Sequence, residues 1–262
     1  MPTTVKPLDD LAELAELLQL PASPRVMECF DISNVSSNHI VGSMVRFVDG
    51  VPDNRSYRRY RVRTVESQDD FASMAEVIRR RYARILQQGA RANPEVVDSQ
   101  EGVVDAMRRL ANEGRAPVTL PDLIIVDGGK GQLSSARKEL RRLGLHELAV
   151  IGLAKRREEI FREGEPEPLV LGHEVGALKL LQRIRDEAHR CANNYNELLF
   201  RKRMKESLLD DCPGISPKRK AALLARFGSV SRIRGKSAEE IAELPGISLR
   251  SAEIMLQWLN RE

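Results

Sequence analysis

The sequence predicts an α/β domain, a mixed sheet with flanking helices, followed by a small all-α domain. Three observations carry this. Residues 26–65 hold three strand patterns in succession, the middle of the chain alternates apolar strand-length runs with helical ones, and the last stretch contains only helical patterns arranged as an internal repeat. A chain of 262 residues can form one large domain or two modest ones with a buried core. Its 42% hydrophobic and 31% charged residues exclude a mostly disordered protein. No apolar run approaches a membrane span, and the N-terminus lacks the charged-then-apolar pattern of a signal peptide, so a soluble, cytoplasmic protein is expected.

Residues 8–20 repeat Leu and Ala at helical spacing and stop at Pro21, with Pro24 just beyond, which makes residues 1–24 a helix and linker. Residues 26–32 read as a strand with a carboxylate inside it, residues 40–48 as a second strand turned by Asp49-Gly50, and residues 57–65 as a third, together an antiparallel meander. Ser67-Gln68-Asp69-Asp70 looks like a helix start, and residues 71–86 continue with helical periodicity. Residues 87–120 are rich in Gly, Asn, Pro and charge around a short helix at 103–111, and are expected to be a flexible insertion. Residues 121–127 are a buried-strand pattern that Gly128-Gly129-Lys130-Gly131 breaks before a helix at 132–143. Another strand follows at 148–153, then an exposed hairpin around Glu163-Gly164-Glu165-Pro166, and a long helix from about Ala177 to Lys205. The expected domains are residues 25–203 and 204–262.

The repeat lies in the second of these. Pro213-Gly214-Ile215-Ser216 matches Pro245-Gly246-Ile247-Ser248 at an offset of 32 residues, and Leu209, Leu223, Leu224 and Phe227 match Ile241, Met255, Leu256 and Leu259. Each copy is an apolar helix, a Pro-Gly-apolar turn and a second helix.

Cys29, Cys191 and Cys212 form no close pair, which argues against a disulfide framework or a zinc ribbon and for a reducing compartment. The net charge of +4 is only mildly basic, but positive residues cluster at 55–63, 79–84, 155–157, 201–205 and 218–220. One such cluster is ordinarily a solvated face; several together, rich in Arg, point to a polyanion.

Asp31 sits among Cys29, Phe30 and Ile32, where an ionised carboxylate is expensive unless it is paired or holds a cation. Asp127 ends another apolar strand before the glycine-rich turn. Two carboxylates at the ends of neighbouring strands suit a hard divalent cation held against a phosphate; a turn or cap aspartate is the alternative for each. His189, on the long helix, would complete a mixed oxygen and nitrogen site only if that helix packs beside them. The glycine turn lacks the spacing and the Ser or Thr of a Walker loop and reads as a strand-to-helix turn with Lys130 near a phosphate.

Several of these segments recur in order elsewhere. Phe30-Asp31-Ile32-Ser33-Asn34, Gly42-Ser43-Met44-Val45, Tyr57-Arg58-Arg59-Tyr60, Asp69-Asp70-Phe71-Ala72-Ser73-Met74, Arg79-Arg80-Arg81-Tyr82, Val126-Asp127-Gly128-Gly129-Lys130-Gly131-Gln132 and Ile184-Arg185-Asp186-Glu187-Ala188-His189 closely resemble the C-terminal half of the UvrC family, nuclease subunits of bacterial nucleotide excision repair. The resemblance covers residues 10–262. It does not extend to the family's N-terminal half, with its GIY-YIG nuclease and UvrB-docking segment.

The resemblance implies an RNase H-like endonuclease domain, built on a mixed five-stranded sheet with flanking helices, and a tandem helix-hairpin-helix domain. It implies a catalytic triad at Asp31, Asp127 and His189 that binds Mg2+ or Mn2+, with a further aspartate at Asp69 or, preferably, Asp70, for which helix capping is the alternative. The implied reaction is hydrolysis of a DNA phosphodiester 5′ of a lesion, on damaged, bubble or nicked duplex, with UvrB and indirectly UvrA as partners. In the repeat, Gly214, Ile215, Gly246 and Ile247 would present backbone N–H groups to phosphates, supported by Lys218, Arg219, Lys220 and Arg250. Two plain helical hairpins are the structural alternative. The functional alternative is a non-enzymatic DNA-structure-binding module, silent without its N-terminal half and UvrB; an RNA–DNA hybrid nuclease or resolvase rests on fold analogy alone.

Overall fold

Strand β1 (Val26–Ser36) runs through the middle of a mixed sheet, and its alternation decides the layering around it. The computed structural model describes residues 7–36, 39–65, 69–94, 101–116, 118–155 and 158–261. The chain divides into two units, Met1–Tyr195 and Asn196–Glu262, and the sheet belongs to the first. β1 pairs antiparallel with β2 (His39–Val48), whose far edge carries β3 (Val51–Pro52) and β4 (Arg58–Arg61). On its other side β1 pairs parallel with β5 (Leu123–Asp127), which pairs parallel with β6 (Ala149–Ala154); β7 (Glu159–Arg162) and β8 (Leu169–Val170) follow antiparallel. The sheet thus has eight strands where the resemblance implied five. The additions are the two-residue β3 and the β7–β8 hairpin, which joins the sheet edge rather than standing apart from it.

Helices cover both faces. Phe30, Ile124 and Val126 pack with α2 (Asp70–Ala92), α3 (Val103–Asn112) and α4 (Lys130–Arg142); Met27, Cys29, Leu123 and Ile125 pack with α1 (Pro7–Leu18) and the long α5 (Gly176–Ser207). The period of two in the strands therefore sends odd-numbered residues of β1 and β5 towards α5 and even-numbered ones towards α2.

The expectation of a flexible insertion at 87–120 is corrected for the described part of that segment. α2 continues to Ala92, and α3 buries Val104, Ala106, Met107 and Leu110 in the same core as Phe30. Polar residues dominate the outer surface of α3, and that composition hides a strongly amphipathic pattern. Residues 95–100 and 117 lie outside the described residues.

Two buried carboxylates brace the α2 side. Glu28, fully buried on the face opposite Asp31, accepts from Arg46 at 3.1 Å, from Arg81 at 2.5 Å and from the Tyr82 hydroxyl at 3.0 Å. Glu76 ties α2 to the segment after β4, accepting from the N–H groups of Arg63 and Thr64, the Thr64 hydroxyl and Arg80. Burial alone would raise the Glu76 carboxyl; the Thr64 and Arg63 hydrogen bonds and Arg80 outweigh it and hold it at about 2, against an ordinary 4.5. A depressed folded value means that this stabilisation is complete above the unfolded value and disappears as pH falls from 4.5 to about 2. Glu76→Gln is accordingly expected to lower stability at neutral pH by ~2–3 kcal/mol and to flatten the acid limb of the stability profile. Urea unfolding at stepped pH would check this, and an acid limb identical to wild type would contradict it.

In the second unit the repeat is physical. Leu209 and Ile241 are both buried, as are Leu223 and Met255, while Leu224 and Leu256 are both half-buried at the edge of the same core. α6 (Pro217–Phe227) and α9 (Leu249–Arg261) are the second helices of the two copies, with α7 (Val230–Arg234) and α8 (Ala238–Ala242) between them. Gly214 and Gly246 have φ of +77° and +84°, the left-handed region where a side chain would be strained.

Candidate active site

The register between β1 and β5 brings the first two site residues together. The parallel pairing runs from Met27 opposite Leu123 to Phe30 opposite Val126, so the next step sets Asp31 beside Asp127. Both are odd-numbered, and both therefore point to the α5 side. Asp31 is 3% exposed, and the Asp127 side chain 6%. The same alternation that buries Cys29 and Ile125 thus buries two carboxylates at the end of the row.

α5 brings the third. Its core stripe of Leu181, Ile184 and Ala188 packs on this face of the sheet. Polar contacts fix its position: the Ser43 hydroxyl, in register with Asp31, donates to the Ala188 carbonyl at 2.9 Å, and the Tyr57 hydroxyl donates to Glu187 at 2.9 Å. His189 then lies over the carboxylates, with Nδ1 3.1 Å from Asp31 Oδ1 and 3.2 Å from Asp127 Oδ2. Ligand atoms of the three residues lie within 4.8 Å of one another, and no other such group occurs among the described residues.

The electrostatics of this cluster fit a cation. Burial, then the hydrogen bond to Asp31 and its negative charge, push the Asp127 carboxyl up to about 7, against the pull of Lys155 and Arg185. The buried His189 Nδ1 has no aligned hydrogen-bond partner among the described residues. Two crowded carboxylates and an orphaned imidazole nitrogen form a donor set suited to a divalent metal. Cys29, beneath them, is no rival ligand, because burial and then the two aspartates push its thiol well up.

Three neighbours were not singled out from the sequence. Lys155, just past β6, touches His189 Nε2 and lies 3.6 Å from Asp127 Oδ2. Arg185, one helical turn before His189, is buried and pairs with Glu158 at 2.5 Å. The Ser33 hydroxyl donates to Asp31 Oδ2 at 2.9 Å. Lys155 was visible only as part of a basic cluster whose other members, Arg156 and Arg157, lie outside the described residues. Arg185 needed the placement of α5.

Other expected site residues lie elsewhere. Asp69, not Asp70, caps α2, accepting from the N–H groups of Phe71 and Ala72 at 3.0 Å. Asp70 is not in the ligand group, although a side chain at Gly131 would strike the ring of its neighbour Phe71, so this end of α2 closes on the start of α4. Lys130 opens α4, but its ammonium donates to the Pro166 carbonyl and lies 5.8 Å from the Phe161 ring centre. In the second unit the N–H groups of Ile215 and Ile247 close their turns on the carbonyls of Cys212 and Leu244. Arg219 donates to the Gly214 carbonyl at 2.6 Å and Lys220 pairs with Asp210 at 2.5 Å, while Lys218 and Arg250 are exposed.

A family model described as the UvrC RNAse H endonuclease domain matches residues 15–192, and one described as a SAM-like helix-hairpin-helix tandem matches residues 206–257. The UvrABC system protein C of Thermobifida fusca is 44% identical over 250 residues, which cover 95% of this chain and 38% of that protein. Its counterpart in Symbiobacterium thermophilum is 46% identical over 244 residues, covering 93% and 38%. The chain therefore spans 38% of the length of each of these two relatives. Among solved structures, human ENDOV has a TM-score of 0.33 and 14% identity over 72% of this chain and 96% of that one, too loose a likeness to bear on function.

Proposed function

This chain belongs to the UvrC family, and we propose that it hydrolyses a DNA phosphodiester on the 5′ side of a lesion in bacterial nucleotide excision repair. The observation that carries this reading is the convergence of Asp31, Asp127 and the orphaned His189 nitrogen from three separate elements. Asp31 and Asp127 would hold Mg2+ or Mn2+, with His189 completing the set. Such an ion, when bound, supplies Lewis-acid polarisation of the phosphate and activation of a water. Ser33 and the Ser43–Ala188 hydrogen bond keep the carboxylates and α5 in place. Lys155 sets a positive charge beside Asp127, where a phosphate oxygen gains charge during displacement.

The second unit would hold the duplex through its paired glycine turns. Gly214, Ile215, Gly246 and Ile247 shape the backbone there, and Lys218, Arg219, Lys220 and Arg250 stand at the helix starts, giving contact with phosphates rather than bases. Lys130 would contribute at the start of α4. Damaged duplex with an unpaired or nicked stretch is the proposed substrate, UvrB and indirectly UvrA the proposed partners, and the cytoplasm the place of action.

A lesion-bearing duplex, already nicked on the 3′ side, would be incubated with the protein, UvrB and either Mg2+ or Mn2+. A discrete cut 5′ of the lesion is expected. Cutting that follows RNA–DNA hybrids or junctions and ignores the lesion would overturn the substrate. No cut at all, with bubble DNA still bound, would favour a binding module.

A further inference from the structure

A cleft of about 670 Å³ lies at the β4 edge of the sheet, lined by Arg46, Arg58, Arg59, Arg80, Arg81 and Arg84, with Asp53 its one acidic residue. Not all of this charge is balanced internally. Arg46 and Arg81 are tied to the buried Glu28, and Arg80 pairs with Glu76 at 2.8 Å. Arg58 donates only to the carbonyls of Arg55 and Tyr57, at 3.1 and 2.7 Å, and Arg84 is exposed; neither has a carboxylate partner among the described residues. Six guanidiniums thus face three carboxylates, Asp53, Glu28 and Glu76, which leaves three positive charges in one concave surface. Concentrating like charge in this way is unfavourable until an anion enters, and planar forks suit phosphate oxygens.

The cleft also has a direction. Asp31 is in register with Ser43 on β2, and Ser43 with Arg59 on β4, so the backbone of Arg59 stands about 10 Å from that of Asp31 along the hydrogen-bonding direction. Its guanidinium lies 5.4 Å over the Tyr195 ring, on the α5 side, while Arg80 lies 5.4 Å over the Tyr60 ring. Arg59 thus stands on the α5 side with the carboxylates, while Arg46 and Arg81 are held from the α2 side by Glu28, so the cleft lies round the edge strand from the carboxylate cluster.

We propose that this cleft binds the phosphate backbone of the DNA flanking the cut, with Arg58 and Arg84 as direct phosphate contacts. The identity of the ligand rests on the endonuclease reading; the anion site itself does not. The braced residues Arg46, Arg80 and Arg81 shape the floor; of the three arginines without a carboxylate partner among the described residues, Arg59 lies over the Tyr195 ring, and Arg58 and Arg84 are the ones available to exchange water for phosphate.

The test compares the full chain with its Arg58→Gln/Arg84→Gln variant, binding a fluorescently labelled bubble duplex in chelator over a range of salt. Each lost phosphate contact should make the log–log salt slope shallower by about 0.9, so a change of about two is expected, with affinity down about tenfold. Arg58→Lys/Arg84→Lys should restore most of the slope, which a loss caused by misfolding would not. Unchanged slope and affinity in the Gln variant would overturn the proposal and leave an acidic protein segment as the occupant. Failure of the wild type to bind DNA would overturn it as well. Steep, arginine-dependent binding by a protein that never cuts would instead refute the endonuclease reading and leave the cleft standing as a phosphate-backbone site with no cut beside it.

Discussion

Asp31→Asn is expected to slow strand cleavage by about a thousandfold, some 4 kcal/mol in the barrier, while the metal-free protein melts a little higher than wild type. Both effects follow from the same geometry. Asp31 and Asp127 stand side by side, nearly fully buried, and burial, then the hydrogen bond and negative charge of Asp31, push the Asp127 carboxyl up to about 7. Neutralising one relieves that repulsion, worth on the order of 1 kcal/mol, and removes a ligand. Wild type should gain about 2.7 kcal/mol from Mn2+ at a hundred times its dissociation constant, and the variant much less. Incision time courses paired with thermal melts in chelator and in Mn2+ would settle the matter. A variant that cuts at the wild-type rate, or that Mn2+ stabilises equally, would remove Asp31 from the site.

Glu28→Ala should destabilise the first unit by about 3–5 kcal/mol, as much as truncating a large core side chain. The carboxylate is fully buried and receives two guanidiniums and a phenol. Truncation leaves Arg81, about nine-tenths buried, without its counter-charge and the equally buried Arg46 with only Asp53, 3.8 Å away, and adds a cavity. Glu28→Gln, which keeps the acceptor and the volume, should cost about half as much. Urea unfolding of both variants gives the comparison; an alanine variant within 1 kcal/mol of wild type would show that water or rearrangement relieves the arginines.

The two catalytic candidates in the strands were legible because a carboxylate in an apolar run demands an explanation that sequence alone can pose. Asp31 and Asp127 both satisfied that test. Glu28 satisfies it too, three positions earlier in the same strand, but its answer lies on the opposite face, in Arg46 and Arg81, and no local pattern names such partners. His189 shows the converse. Helical periodicity places it on α5 without saying what α5 faces, and only the resemblance names a role for it; the geometry shows that it lies over the two carboxylates. Lys155 and Arg185 were missed because their meaning depends on two elements meeting. α3 was underestimated because its composition was weighed above its period, whereas the glycine repeat was read correctly, since φ above zero is a requirement that the residue type itself discloses.

The parallel pairing of β1 with β5 has a bearing on how molecules of this protein can be counted. Because side chains alternate with a period of two, sliding β5 by a single residue would carry Asp127 to the face of Phe30 and leave Asp31 alone. A chain that collapses with that error could retain its helices, its compactness and much of its circular dichroism, yet have no paired carboxylates. The proposed cleavage would therefore serve as a proofreader of assembly: specific activity would report the fraction of a preparation whose central strands are correctly threaded, a quantity to which bulk spectroscopy is nearly blind.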